Sequence, residues 1–369
     1  MVIASCPGMS PFARTIFNHI LLIAAPTLVG CNAENRVECV PQVTGGGCRV
    51  KTDQALLSEF NYDICAEGID TVNELVSHDG VLCCYDVTFD PDLASPCDGR
   101  PLRNGAHLVV ASAQRTREWV YDESLPDSTE LSLEQRAVLR DTWTAAALTE
   151  HASIASFSRA ALDLLGVGAP AELMMAVQTA CLDEIRHAQM CFTLASRYAD
   201  EPVGPGPLPL GAVAAPNPTL ASIAAEKVRD GCVNETLAAL VASERLARAE
   251  DPYVRAVLAI IAEDESRHAL LAWKIVRWAL DVGGPDVRDA VARAFAQALR
   301  GAVETPQSES LADAMLVEHG VLSAAEVQAV VTRGLQQVLR PCADAMLSTM
   351  ISSAATTGQT DPQREIVMA

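Results

Sequence analysis

A chain of 369 residues with a formal net charge of -20 has length for two domains and an ample core, and it lacks the basic surface that nucleic acid would require. Aromatic residues are only 4% of the chain while alanine is abundant, which suits close-packed helices better than a β-sandwich. Beyond the N-terminus no uncharged apolar run can span a bilayer, which takes roughly 18 residues; 203–225 lacks charge, but its repeated prolines and glycines rule it out.

In chain order, residues 1–30 read as an export signal. Arg14 supplies a sparse positive region, and Ile20 to Val29 an apolar run of signal-peptide length. Leu28-Val29-Gly30-Cys31 then resembles a bacterial lipobox, in which the cysteine is lipidated and becomes the mature N-terminus. Lipid on Cys31 would tether a soluble domain to a membrane of the cell envelope without a spanning helix.

Residues 31–105 differ in character. Cys39, Cys48, Cys65, Cys83, Cys84 and Cys97 fall in a stretch rich in Gly, Asp and Pro. In an exported chain they imply about three disulfides, with 15 pairings open. No Cys-x-x-Cys occurs that would point to a thiolate metal site. The expectation is a small disulfide-rich module with a strand at 81–89 and short helices at 54–61 or 70–76. A connector, 106–130, should carry a strand at 107–113.

The rest predicts an all-α fold: a bundle of four helices over 131–284, accessory helices over 285–350 and a disordered tail over 351–369. Ser132 and Gln135 fit a capping box. Gly166 to Gly168 stop the first helix and Pro170 opens the second in its first turn, so the two are antiparallel neighbours. The second helix ends near Asp200, and 201–218, rich in Pro and Gly, forms a long crossover. A third helix follows Thr219. Asp251-Pro252 starts the fourth, which Gly283-Gly284 ends. Helical spacing returns over 287–303, 311–319 and 324–347, packed outside the four. Glu318-His319 reads as a surface pair, because helical neighbours diverge.

The chemistry lies in the apolar stripes of the four helices. Trp143, Ala147, Glu150, Ile154, Phe157, Ala161 and Leu164 alternate four-three, with Glu150 as the only charged member. Leu173, Val177, Ala180, Glu184, His187, Cys191, Leu194 and Tyr198 do the same, as do Val254, Leu258, Ile261, Glu265, His268, Ala272, Ile275 and Ala279. Val228, Gly231, Glu235, Ala239, Ala242 and Leu246 nearly do, with one four-four step. A carboxylate and an imidazole three residues apart on a helix share a face, about 4.5 Å apart along the axis. Both pairs sit in the matching sequence Asp-Glu-x-Arg-His-Ala, 81 positions apart. A buried, unpartnered carboxylate is costly, so these stripes call for a cation.

Glu, Glu-x-x-His, Glu, Glu-x-x-His on successive helices resembles the ligand set of ferritin-like di-iron carboxylate domains. The repeat Asp-Glu-x-Arg-His resembles their oxygen-activating branch, such as bacterial multicomponent monooxygenase hydroxylases and acyl-carrier-protein desaturases. The layout of lipoprotein signal, cysteine-rich segment and bundle is similar to ferritin-like envelope proteins of myxobacteria. That resemblance implies a ferritin-like four-helix bundle in which Glu150, Glu184, His187, Glu235, Glu265 and His268 bind two iron ions, or manganese in their place. Glu184 and Glu265 would bridge the pair. The implied activity is a di-iron oxidoreductase using oxygen or peroxide, fed by an external reductant because the chain has no rubredoxin-like cysteine pair. Two readings compete: an iron-binding or ferroxidase protein without an organic substrate, and a helical interaction module with a structural site.

A metal-bound histidine usually donates its free N–H to a carboxylate. The expected arrangement, resembling the oxygenase branch, is crossed: Asp264 accepts from His187 and Asp183 from His268, at about 2.7–3.2 Å, with Arg186 and Arg267 neutralising the aspartates. His151 reads as a polar helix-interface residue, and Cys181, Cys191 and Cys232 as small buried hydrophobes. Gly231, Ala238 and Ala239 are expected to leave room near Glu235 for oxygen or a substrate.

Overall fold

Four apolar stripes need partners, and the chain provides them as two antiparallel helix pairs. The computed structural model describes residues 9–24, 38–41, 69–78, 82–89, 102–104, 107–121, 131–210, 218–299 and 314–357. After α1 (Pro11–Ala24), strands β1 (Glu38–Pro41), β2 (Ile69–His78) and β3 (Leu82–Phe89) form an antiparallel sheet of order β1-β3-β2. Two short ladders follow: β4 (Arg103–Asn104) with β5 (His107–Leu108), and β6 (Ala113–Gln114) with β7 (Gly204–Pro205). The long helices are α2 (Leu133–Gly166), α3 (Ala171–Ala199) and α6 (Pro252–Val282). The third stripe is split into α4 (Leu220–Glu226), a π turn (Lys227–Val233) and α5 (Asn234–Arg248). Last come α7 (Pro285–Ala298), α8 (Ala314–Glu318), α9 (Ala324–Gly334), a second π turn (Leu335–Leu339) and α10 (Arg340–Thr357).

Local chemistry sets the helix ends. Ser132 and Gln135 form a complete capping box at α2, and Thr219 with Ser222 forms another at α4. α2 stops where Gly168 takes φ +73°, a left-handed conformation that glycine adopts without strain. Pro170 is the N-cap of α3, one residue earlier than its expected first-turn position. Asp251 caps α6 by accepting from the backbone N–H of Tyr253 (3.0 Å) and Val254 (2.9 Å). Its other oxygen takes a bond from Arg197 Nη2 at 2.9 Å, which ties the end of α3 to the start of α6. The α2–α3 pair thereby meets the α5–α6 pair along α3 and α6.

Several expectations change. Residues 70–76 lie in strand β2, not a helix. The strand expected at 107–113 is reduced to β5 and the start of β6. In the cysteine-rich segment the β1–β3 register sets Cys39 opposite Cys84 and Val40 opposite Cys83. Residues 351–357, expected in a disordered tail, instead continue α10. Cys31, Cys48, Cys65, Cys97, the helix expected at 54–61 and the rest of the tail beyond residue 357 lie outside the described residues. His319 is half-buried and not a surface residue: its Nδ1 is 2.8 Å from Tyr198 Oη, and its carbonyl accepts from Trp143 Nε1 at 3.3 Å. It follows the last residue of α8, so the divergence of helical neighbours does not govern it. The four-four step in the third stripe marks the first π turn, where the Asn234 N–H reaches back five residues to the Arg229 carbonyl.

Residues placed in the export signal form α1, whose apolar face is packed against α6, α10 and the second π turn. Met9, Ile16, Phe17, Ile20 and Ala24 are buried, while Arg14, Thr15 and His19 face outward. Cleavage before Cys31 would take this helix away. Each large side chain it buries contributes roughly 1.5–3 kcal/mol. A chain starting at residue 31 should therefore melt about 5 °C or more below the full-length chain; equal midpoints would mean that α1 adds nothing.

The α6 cap gives a second test. Burial opposes ionisation of Asp251, but the bonds from Arg197 and the Val254 N–H prevail and lower its pKa. Its contribution is thus present above the unfolded carboxylate value, about 3.9, and is lost as pH falls through the lower folded value. Asp251→Ala should cost about 2 kcal/mol at neutral pH and remove this part of the acid-side slope. Parallel stability–pH curves for the two proteins would contradict that assignment.

Candidate metal centre

The two helix pairs turn all six predicted ligands inward. Glu150 comes from α2, Glu184 and His187 from α3, Glu235 from the first turn of α5, and Glu265 and His268 from α6. None is more than 5% exposed. His187 Nδ1 lies 3.7 Å from Glu150 Oε2, 3.9 Å from Glu184 Oε2 and 3.5 Å from Glu265 Oε1. His268 Nδ1 lies 3.1 Å from Glu184 Oε1 and 3.7 Å from Glu265 Oε1. Glu184 and Glu265 therefore stand against both imidazoles. Two sets could each hold a cation: Glu150, Glu184, His187 and Glu265, and Glu235, Glu265 and His268, with ligating atoms within 4.8 Å of one another.

These contacts do not satisfy one another. Both carboxylate oxygens of Glu184, Glu235 and Glu265, Oε2 of Glu150 and Nδ1 of both histidines are buried without a hydrogen-bond partner. The 3.1 Å approach of His268 to Glu184 is close enough, but it lacks hydrogen-bond geometry. Converging buried lone pairs without donors are costly, and a cation is a species that would match them. Charge leads to the same conclusion. Burial first, and then neighbouring carboxylates, push Glu184 and Glu235 well above the usual carboxylate range. For Glu265 the nearness of the His187 and His268 imidazoles outweighs burial and holds the group low.

Outside the ligand atoms, α3 and α6 exchange supports. His187 Nε2 is 3.0 Å from Asp264 Oδ2, and His268 Nε2 is 3.3 Å from Asp183 Oδ2, slightly beyond the expected range. Each histidine thus bonds the aspartate of the opposite helix. Its Nε2–H is fixed outward and its Nδ1 lone pair is aimed at the cluster. Arg186 and Arg267 each bond both aspartates, from Arg186 Nη2 to Asp183 at 3.0 Å and from Arg267 Nη1 to Asp183 at 3.0 Å, and each also to Asp264. Burial alone would raise the Asp264 pKa, but His187 and Arg186 bring it down to about 2. Asp183 is lowered in the same way, chiefly by His268 against burial.

The neighbouring residues divide. His151 is half-buried and meets Trp119 edge-on at 5.0 Å, an interface role. Cys191 and Cys232 are buried thiols, while half-buried Cys181 lies 3.6 Å from Ser158 Oγ. Gly231 leaves no opening near Glu235, because it is pressed against Ala272; Ala238 and Ala239 are buried as well. The stripe spacing had also placed Phe157 here without a role; it lies edge-on to His268 at 5.2 Å. Sequence reasoning missed Lys227, fully buried in the π turn and bonded to Glu226 at 3.0 Å. A cleft of about 270 Å³ between α3 and α6, lined by Leu173, Ala176, Ala180, Arg267, His268 and Leu271 among others, reaches His268 from outside.

No family model, curated protein or solved structure gives a significant match to this chain.

The crossed bonds make a prediction. Asp264→Ala should weaken iron(II) binding by about 10–100-fold in an anaerobic titration, because His187 loses the partner that orients it. Unchanged affinity would show that the ring is held without the aspartate.

Proposed function

We propose that the chain is a ferritin-like non-haem di-iron carboxylate protein acting as an oxidoreductase on oxygen or peroxide. The supporting observation is the convergence of buried, unsatisfied ligand atoms from four helices, with Glu184 and Glu265 shared between His187 and His268. Four carboxylates balance the charge of two divalent cations, and an oxygen-rich set with two imidazoles suits iron, with manganese as the alternative. Glu184 and Glu265 would bridge, and Glu150 and Glu235 would bind terminally. When bound, two iron ions supply paired one-electron chemistry toward oxygen or peroxide.

The protein's own part is preparation. Asp183 and Asp264 keep the histidine lone pairs inward, and buried Phe157 packs edge-on against His268. Electrons must come from an external reductant, since the chain has no Cys-x-x-Cys. A second reading, iron oxidation without an organic substrate, is favoured by one observation: the space expected beside Glu235 is closed by Gly231 against Ala272.

Metal analysis of anaerobically purified protein tests the proposal. It should return about two irons per chain; Glu265→Ala should reduce both, and Glu150→Ala chiefly one. Oxygen exposure followed by absorption spectroscopy should oxidise the bound iron, and sustained turnover with an added reductant would separate an oxidoreductase from an iron-binding protein. A folded chain that takes up no iron or manganese would end the reading. Export with lipid on Cys31 is the companion proposal. A mature N-terminus that still carries residues 9–24 without lipid would overturn it.

A further inference from the structure

Gly231 lies within the first π turn, and among the described residues the atoms within 4 Å of an added Cβ belong to Ala272 on α6. A Cβ built there would overlap the Ala272 methyl and lie 3.6 Å from the Ala272 Cα. That methyl has no rotamer by which to retreat, so any side chain at 231 must part the two segments. Val228 and Cys232, fully buried on either side, leave the π turn little freedom to roll away.

The position of this contact gives it a role. Glu235 stands four residues after Gly231, and His268 stands four before Ala272. On antiparallel helices the two ligands therefore face each other one turn, about 6 Å, along from the point of closest approach. Glu235, Glu265 and His268 form one of the two candidate cation sets, whereas the other, Glu150, Glu184, His187 and Glu265, has no residue from the π turn or α5. The π turn adds a residue ahead of Glu235 and so brings that side chain onto the α6 side, where an uninterrupted α-helix would let the four-four step drift away.

We infer that the Gly231–Ala272 contact is the positioning device for the Glu235 half of the centre. It sets the distance between Glu235 and His268 and so decides whether the second cation is held, without governing the first. The inference rests on the di-metal reading. It predicts a selective loss, because a ligand set widened by even about 1 Å no longer closes on an ion.

Cobalt(II) titration of the metal-free full-length chain, read by absorption spectroscopy and by equilibrium dialysis, tests it. The native chain should take two equivalents, Gly231→Ala one, and the size-swapped pair Gly231→Ala with Ala272→Gly two again; Ala272→Gly alone should keep two. Two equivalents on Gly231→Ala, or failure of the swap to restore the second, would overturn the inference. If Gly231→Ala proves unfolded by circular dichroism, Ala272→Ser carries the test: it should weaken the second equivalent at least tenfold and leave the first unchanged, and equal weakening of both would overturn it. A native chain that binds no cobalt, iron or manganese would instead count against the metal reading itself.

Discussion

Four carboxylates buried within a few ångströms of one another are the constraint to which the rest of the structure answers. Burial and mutual repulsion push Glu184 and Glu235 toward the protonated form. Both imidazoles beside them are fixed from outside. Asp183 and Asp264 hold the two imidazoles, Arg186 and Arg267 hold the two aspartates, and both layers cross from α3 to α6. The exchange makes the two halves interdependent, because each ligand pair is oriented by the opposite helix.

Around this centre the packing has two sides. Toward the start of α2, the end of α3 and the start of α6, Trp143, Phe192, Leu194 and Leu258 fill the space, and the turn at His319 and Gly320 closes it. Toward the π turn the buttress is larger. α1, α7, α9 and α10 cover α5 and the outer face of α6, with Trp273 stacked on Phe295 at 5.3 Å and Gly334 seated against Leu237 and Leu240. The half of the centre that depends on a glycine contact is also the half with the heavier support.

The residues of the candidate centre were legible in the sequence because the signal is periodic. A charged residue on an otherwise apolar stripe needs no tertiary knowledge to stand out, and Glu150, Glu184, His187, Glu265 and His268 all occupy unbroken four-three stripes. Glu235 was legible too, but the four-four step beside it carried more information than its reading as an imperfection, since it marks the π turn. What depends on distant partners was not legible. Val72, Leu75 and Val76 have helical spacing, yet they lie in a strand whose register shifts break the period of two. The apolar face of α1 has the composition of an export signal, and only its contacts with α6 and α10 show that it can equally fill a core. Gly231 read as open space because a glycine in sequence does not reveal whether another helix occupies the place of its missing side chain.

The central claim is that Glu184 and Glu265 lie between two metal ions. The most direct measurement is anomalous diffraction from crystals of the iron-loaded protein, with data collected above and below the iron absorption edge. The account predicts two peaks per chain, both within bonding distance of Glu184 and Glu265, one beside His187 and the other beside His268. Two empty positions, with the carboxylates sharing protons among themselves, would contradict it.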